Sequence, residues 1–428
     1  MKKLTLILLP LLLAGCDGLS SKKAKTITEL TAKLSLESQE AIIASNDLKE
    51  YPFAENLSKY KSYKLSNKKI ISSPIIANNI IYAIDDSGTV IAFSKVNKKI
   101  LWTQNISNRS RDHNHIGGGI AYNSDKLFIT NGSRFLIVLN SKTGHELFRK
   151  EFSDIIRIKP IMLDQHTVFI QTISNQVYAY DFYNSKFIWQ HEGMFETLTS
   201  STYTGPILYN SNILVSYSSG QVISLNAKNG QENWNLNLSQ RNSNSGNISL
   251  PNFDPVTSSC APVIEGNNVY IASSAGIIAK VDFSTGQILW QIQASDVQSM
   301  AIEGNSLFIT NNAKQVSAIS TNTGKVKWLA SIDLTKDNRS GKSIQFLQPM
   351  ISKKAHGLVL SIVASNANIY NFEFEHSSNM LIESTITKGL KNVNYINVTC
   401  CGDTYIVTDK QITFIEKTEK PKAILRKK

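Results

Sequence analysis

The sequence predicts an all-β protein, an eight-bladed β-propeller built from four-stranded antiparallel blades. The first observation is a short unit that recurs along most of the chain and is clearest between Asn268 and Trp290. In this unit, runs of β-branched and aromatic residues, which favour strands, alternate with turns that contain glycine. The second observation is that the copies recur every 38 to 56 residues. This period fits the roughly 40 to 50 residues of a propeller blade better than the shorter leucine-rich, ankyrin or helical repeats.

The third observation is an aromatic residue near the end of each copy, four positions after a turn residue. These aromatic residues are Trp102, Phe148, Trp189, Trp234, Trp290 and Trp328, and the turn residues are Lys98, Gly144, Ser185, Gly230, Gly286 and Gly324. All five tryptophans of the chain therefore occupy one position of the repeat. Because a large aromatic side chain recurs at this position, we predict that the tryptophans dock neighbouring blades by filling the space between them.

Each copy opens with a short apolar strand, often after a proline, which completes four strands per unit. The eighth unit, at residues 395–415, lacks its fourth strand. A strand-like alternation at residues 58–65 precedes the first blade and has no partner of its own. We therefore predict that this N-terminal strand completes the last blade and closes the ring, which removes the exposed edges of an open array. The propeller then spans residues 58–416.

The N-terminus has the pattern of an export signal. Lys2 and Lys3 precede an apolar run at residues 4–13, which is too short to span a bilayer. The run ends in Leu-Ala-Gly-Cys, which resembles the lipobox of bacterial lipoproteins. The resemblance implies that residues 1–15 are a signal peptide and that Cys16 carries the lipid, with acyl chains such as palmitate inserted into the membrane. We interpret residues 16–57 as the lipidated N-terminus and tether, and residues 417–428 as a basic tail.

The net positive charge of the chain is compatible with a polyanionic partner but does not identify one. The formal net charge is +12 and the isoelectric point is about 9.3. The lysines are scattered over the repeats, and no nucleic-acid-binding motif interrupts them. We therefore interpret the charge as a solvated basic surface and expect no nucleic-acid partner.

The residues capable of chemistry form no recognisable catalytic set. His113 and His115 lie two residues apart in a polar stretch without further metal ligands nearby. Cys400 and Cys401 are adjacent, and neighbouring residues of a strand point to opposite faces, so we interpret them as small packing residues. The sequence contains no phosphate-binding loop, nucleophile elbow or metalloprotease motif. We expect a protein that is not an enzyme and has no cofactor, no metal and no small-molecule substrate.

The repeat pattern, Val-Tyr followed by a glycine, a strand and Asp-x-x-Thr-Gly-x-x-x-Trp, resembles the repeats of two families. One is the quinoprotein dehydrogenases, which hold pyrroloquinoline quinone (PQQ) and calcium over the ring centre. The other is the outer membrane protein assembly factors that form the propeller lipoprotein of the bacterial β-barrel assembly machinery. The second resemblance also accounts for the lipobox and the tether. The alternatives that stay open are a PQQ-dependent dehydrogenase-like enzyme or sensor and an inner-membrane lipoprotein scaffold.

The resemblance to the assembly factor implies a non-enzymatic scaffold for the assembly and insertion of β-barrel proteins into the outer membrane. It implies a partner as well, the central barrel-inserting protein, bound through its periplasmic repeats by loops before the fourth and fifth blades. Those loops correspond to residues 195–204 and 247–259. The matching positions are Leu198, Thr199, Ser200 and Ser201 in the first loop and Phe253 and Asp254 in the second.

The family resemblance implies a location on the periplasmic face of the outer membrane, with the lipid on Cys16 as the anchor. Asp17 follows the lipidated cysteine. In enterobacteria this combination marks retention in the inner membrane, so the inner membrane stays open as an alternative.

Overall fold

The computed structural model describes the greater part of the repeat region and two short N-terminal stretches. The described residues are 42–43, 49–50, 62–107, 117–193, 205–217, 220–238, 260–273, 276–294, 297–331, 346, 349–354, 357–364, 369–375, 381–387, 393–398 and 404–415. Strands are the regular secondary structure of these residues, and the described part contains no helix. The all-β class predicted from the sequence is confirmed.

Three short strands precede the first blade, and four complete blades follow. The N-terminal strands are Ile42–Ile43 (β1), Lys49–Glu50 (β2) and Ser62–Lys64 (β3). Blade 1 comprises Ile75–Ala77 (β4), Ile80–Ile84 (β5), Thr89–Ser94 (β6) and Lys99–Asn105 (β7). Blade 2 comprises Gly119–Asn123 (β8), Lys126–Thr130 (β9), Phe135–Asn140 (β10) and Glu146–Glu151 (β11). Blade 3 comprises Ile161–Met162 (β12), Thr167–Gln171 (β13), Gln176–Asp181 (β14) and Lys186–Glu192 (β15). Blade 4 comprises Ile207–Tyr209 (β16), Asn212–Ser216 (β17), Gln221–Asn226 (β18) and Glu232–Asn237 (β19).

The second half of the chain repeats this arrangement. Blade 5 comprises Val263–Glu265 (β20), Asn268–Ser273 (β21), Ile277–Asp282 (β22) and Ile288–Gln293 (β23). Blade 6 comprises Val297–Glu303 (β24), Ser306–Asn311 (β25), Gln315–Ser320 (β26) and Val326–Ser331 (β27). Blade 7 comprises Met350–Lys354 (β28), Gly357–Val363 (β29), Ile369–Glu375 (β30) and Leu381–Thr387 (β31). Blade 8 contributes Val393–Val398 (β32), Thr404–Thr408 (β33) and Gln411–Ile415 (β34).

The described strands form eight sheets, and the N-terminal strand closes the last of them. In blades 1 to 7 the strands pair antiparallel in sequence order. First strands of neighbouring blades contact each other, as β4 does with β8 and β20 with β24, so the first strand is innermost and the fourth is outermost. In blade 8 the outermost position is filled by β3, which pairs antiparallel with β34 through Ser62 and Thr413. The eight-bladed propeller and its closure by an N-terminal strand are therefore confirmed.

The hydrophobic core lies between blades. The second and third strands of a blade are buried on both faces, as in β13, where all five residues are buried. One cluster joins Tyr82 and Ile84 of blade 1 to Leu127 and Ile137 of blade 2. Because a single sheet has nothing to cover its faces, each blade depends on both neighbours for burial.

Two further strands extend blades 6 and 7 at their outer edges. β1 pairs parallel with β27, joining Ile42 to Leu329, and β2 pairs parallel with β31, joining Lys49 to Thr385. Both belong to the stretch interpreted as the tether, so at these four residues that stretch lies along the ring. The sheets of blades 6 and 7 consequently have five strands, whereas those of blades 1 to 5 have four.

Candidate functional site

The two stretches predicted to bind a partner are flanked by described residues on one rim of the ring. Residues 194–204 join β15 to β16, and residues 239–259 join β19 to β20. In both cases the chain leaves an outermost strand and enters the innermost strand of the next blade. Antiparallel topology puts all connections of this type on the same rim, which we call the loop rim. Leu198, Thr199, Ser200, Ser201, Phe253 and Asp254 themselves lie outside the described residues.

A cavity of about 830 Å³ lies next to the innermost strands of blades 1 to 4 and to Ala261, which precedes blade 5. Its lining consists of residues 72–73, 75–77, 118–122, 157–162, 205–208 and 261. The charged members of this lining are Arg157, which is partly exposed, and Lys159, which is exposed. The described wall of the cavity is therefore apolar with a positive charge.

Close backbone approach shapes this cavity. The Gly118 amide donates to the Arg157 carbonyl over 2.6 Å, which ties the entry of blade 2 to that of blade 3. Gly118 has a φ of 92°, and a Cβ there would lie 2.2 Å from the Thr130 carbonyl oxygen. Only glycine satisfies both requirements. The wall is therefore made partly of backbone.

The described lining does not fit a quinone held by calcium. Calcium takes oxygen ligands and depends on carboxylates, and the residues that line the cavity include no Asp or Glu. Across the described parts of the chain, no three His, Cys, Asp or Glu side chains cluster in a way that could hold a metal ion. His113, His115, Cys400 and Cys401 lie outside those parts.

A buried tyrosine and a histidine join blades 3 and 4 at the base of the 194–204 connection. Tyr217 Oη and His191 Nδ1 share a hydrogen bond of 2.8 Å, and their rings stack with centroids 5.9 Å apart. Glu232 Oε2 lies 4.0 Å from His191 Nε2. Burial raises the pKa of the Tyr217 hydroxyl, and the charge of Glu232 raises it further. The phenol therefore stays protonated at neutral pH, and the pair anchors the strand that ends at the loop rim. Sequence reasoning missed this pair, because neither residue belongs to the repeat signature.

The tryptophans lie in the outermost strands and reach the next blade. The indole Nε1 of four of them donates to a backbone carbonyl there: Trp102 to Ser141 (3.0 Å), Trp189 to Ala227 (3.1 Å), Trp234 to Phe283 (2.7 Å) and Trp290 to Thr321 (3.0 Å). Each acceptor belongs to the turn between the third and fourth strands of the next blade. Trp328 is 3% exposed and stacks on Phe372 of blade 7 at 6.1 Å.

The turn glycine of one blade lies against the tryptophan of the preceding blade. A Cβ built on Gly144, Gly230, Gly286 or Gly324 would lie 2.6 to 3.0 Å from an indole atom. All four glycines have φ between 73° and 77°. Where the preceding aromatic residue is Phe148 instead, the turn residue is Ser185, which keeps a positive φ of 53°. Lys98 has the same φ and places its Nζ 3.8 Å from the ring centre of Phe414 in blade 8. The aromatic and turn positions are thus matched across blade boundaries.

The predicted anchor residues Cys16 and Asp17 lie outside the described residues. Among the residues that are described, there is no helix long and apolar enough to cross a membrane.

Comparisons with known proteins agree with this architecture. A family described as outer membrane protein assembly factor BamB matches residues 86–330. An uncharacterized protein of Rickettsia prowazekii is 41% identical over 96% of this chain and 99% of its own length. The outer membrane protein assembly factor BamB of Nitrosomonas eutropha is 20% identical over 70% of this chain and 69% of its own length.

The fold has a counterpart among solved structures. The crystal structure of BamB from Moraxella catarrhalis superposes with a TM-score of 0.65 at 17% identity, covering 83% of this chain and 98% of the other. At that identity the likeness concerns the fold. The family match extends over more than half of the sequence, and the strands within it form the blades described above. The chain belongs to the family of outer membrane protein assembly factor BamB.

Proposed function

We propose that this chain is a non-enzymatic lipoprotein scaffold that assists assembly and insertion of β-barrel proteins into the outer membrane. The observation that carries the proposal is the family match over residues 86–330 of a closed propeller. The cavity supports the non-enzymatic part, because its described wall offers a basic pair and no carboxylates for metal or acid–base chemistry.

The partner in this proposal is the central barrel-inserting protein of the assembly machinery, bound through its periplasmic repeats. The loop rim would supply the contact, with Leu198, Thr199, Ser200 and Ser201 in one connection and Phe253 and Asp254 in the other. The placement of both connections between outer and inner strands supports this, because loops on a rigid scaffold are the usual binding elements. The His191–Tyr217 pair would hold the first of them in position.

Co-purification tests the partner. The full chain carries a C-terminal affinity tag, and the proteins recovered from detergent extracts are identified by mass spectrometry. We expect a barrel-assembly partner with the wild type and roughly tenfold less of it after Leu198→Asp or Asp254→Lys, the range of an interface hot spot. Val96→Ser is the matched control, because Val96 is 70% exposed on the opposite rim. Recovery of no barrel-assembly partner, together with normal barrel levels in cells that lack the protein, would overturn the proposal.

The anchor and the location are tested by fractionation. With three acyl chains on Cys16 the protein would stay with the membrane, because two or more acyl chains give stable anchoring. Cys16→Ser would remove the attachment site of the lipid and move the protein to the soluble fraction. We expect the wild type in the outer-membrane fraction. Recovery of the wild type in the inner membrane, together with a shift to the outer membrane after Asp17→Ser, would favour the inner-membrane scaffold instead.

A further inference from the structure

The cavity beside the innermost strands has its charged side chains and a buried hydroxyl at one end. Ser72, Arg157 and Lys159 lie just before the innermost strands of blades 1 and 3, and the chain enters those strands from the loop rim. The lining residues further along the innermost strands are mainly apolar and include Ile75, Ile76, Ile161, Met162, Ile207 and Leu208. The cavity is therefore basic at the loop rim and apolar towards the opposite rim.

The hydroxyl of Ser72 is unsatisfied in this lining. Ser72 is 6% exposed, and its Oγ has no hydrogen-bond partner among the described residues. Buried polar side-chain atoms of folded proteins are nearly always hydrogen-bonded, because leaving one unpaired is costly. An acceptor atom of a bound molecule would satisfy this hydroxyl.

Glycines of two neighbouring blades pack against the basic segment at residues 157–159. A Cβ on Gly119, at the start of blade 2, would lie 2.5 Å from Cβ of Lys159. A Cβ on Gly205, at the entry of blade 4, would lie 2.6 Å from Cγ2 of Ile158. Glycine at such positions allows another segment of chain to approach closely. The backbone that carries the two cationic side chains is consequently packed on both sides.

The lining favours an anion with an apolar body. It contains two cations and no carboxylate, and both guanidinium and ammonium groups form charge-assisted hydrogen bonds with carboxylates. A volume of about 830 Å³ lies in the range of small-molecule sites, which are mostly apolar and have a few polar groups that fix orientation. Tyr122 is the one aromatic residue of the described lining, so a flat ring system would find little stacking surface. A flexible aliphatic chain fits this lining better.

We propose that this cavity binds a small amphiphilic carboxylate, a molecule with one carboxylate head and a flexible apolar chain. The chain would lie against the apolar residues of the innermost strands. The carboxylate would accept hydrogen bonds from Lys159, Arg157 and the Ser72 hydroxyl at the loop rim. The molecule is a bound ligand and not a substrate, so the proposal agrees with the expectation that the chain is not an enzyme. It goes beyond the proposed function, and neither proposal depends on the other.

Calorimetric titration with decanoate tests the proposal. The protein is the full-length chain with Cys16→Ser, purified without detergent, because detergent micelles would take up the probe. Decanol has the same chain without the charge, and decyltrimethylammonium has the opposite charge. We expect saturable binding of one decanoate per chain. We expect at least about tenfold weaker binding of decanol, because the charge-assisted hydrogen bonds are lost, and no measurable binding of the cation.

Two substitutions test the contacts of the carboxylate. Lys159→Gln should weaken decanoate binding about tenfold, because one charge-assisted hydrogen bond is lost. Lys228→Gln is the matched control, because it removes the same charge from an exposed lysine in the turn between β18 and β19 on the opposite rim. Ser72→Ala should weaken binding about threefold without lowering the free energy of unfolding, because the protein itself loses no hydrogen bond. Urea unfolding of the Ser72→Ala variant without decanoate measures that free energy.

Four outcomes would overturn the proposal. The first is binding of decanol or of the cation as tight as that of decanoate, and the second is an equal effect of Lys159→Gln and Lys228→Gln. The third is a loss of stability after Ser72→Ala with unchanged affinity, which would make the hydroxyl a structural group. The fourth is tighter binding of an apolar hexapeptide with a free C-terminal carboxylate, which would make the end of a polypeptide the occupant.

Discussion

Replacing Gly286 by alanine tests the fit between one blade's turn and the preceding blade's tryptophan. Gly286 has a φ of 75°, and an added Cβ would lie 2.6 Å from Cγ and 2.8 Å from Cβ of Trp234. These two atoms lie next to the Trp234 backbone, so rotation of the indole about its outer bonds cannot relieve the overlap. The ring would have to move together with its strand.

Three contributions make up the expected loss in the free energy of unfolding of Gly286→Ala. The left-handed conformation costs a non-glycine residue about 1–2 kcal/mol. Trp234 is 7% exposed, and its indole donates a 2.7 Å hydrogen bond to the Phe283 carbonyl. Displacing the indole would break this bond, at a cost of about 1 kcal/mol. Overpacking of the interface adds about 1–3 kcal/mol. We therefore expect Gly286→Ala to lower the free energy of unfolding by about 3–6 kcal/mol.

Gly266→Ala is the matched control in the same blade. Gly266 has a φ of 56°, and no atom lies within 4 Å of the position of an added Cβ. Only the conformational cost of about 1–2 kcal/mol applies there. Urea unfolding of both variants, followed by tryptophan fluorescence and circular dichroism, measures the difference. Equal destabilisation by the two substitutions would show that the indole contact is not a constraint.

Three further predictions concern the matched positions and two titrating groups. Phe148→Trp should destabilise the chain in urea unfolding because Ser185 occupies the glycine position of the next blade, and the double variant with Ser185→Gly should recover most of the loss; no recovery would contradict the matching. The hydroxyl of Ser284 and nearby backbone amides hold the pKa of Asp282 below 3.8, so its stabilising contribution is present above that pH and lost as the pH falls through the lowered pKa. Asp282→Asn should therefore be less stable than the wild type at pH 7 but not in strong acid, and a gap that persists in acid would count against this. Burial raises the pKa of Tyr270 to about 12, so its contribution is complete below about pH 10 and lost as the pH rises towards 12. Tyr270→Phe should flatten the alkaline loss of stability, and an unchanged alkaline profile would refute it.

Much of the fold was predictable because each blade carries its own local signals. Turn glycines require positive φ, and the runs between them suit half-buried strands, so one unit such as residues 268–290 already defines its strand boundaries. The count of eight and the closure by residues 62–64 followed from period and from one strand that lacked a partner. These are properties of neighbouring residues along the chain.

The candidate site was predictable only in part. The resemblance of the sequence to the assembly factors located the connections at 195–204 and 247–259, and the topology of the flanking strands puts their ends on one rim. The His191–Tyr217 pair and the cavity wall around Arg157 carry no repeat signature. Both arise from residues of different blades that meet only when neighbouring blades pack against each other.

The sequence by itself determined the blade, its turns, its aromatic position and the number of copies, because these depend on local backbone preference and periodicity. Tertiary structure alone decided which groups meet between copies. It matched Gly286 to Trp234 across a boundary, left Ile288 and Leu289 exposed to solvent beside a bulge, and laid Ile42 and Ile43 along blade 6. Such contacts join residues far apart in the chain, and their energies depend on distances that no local pattern encodes.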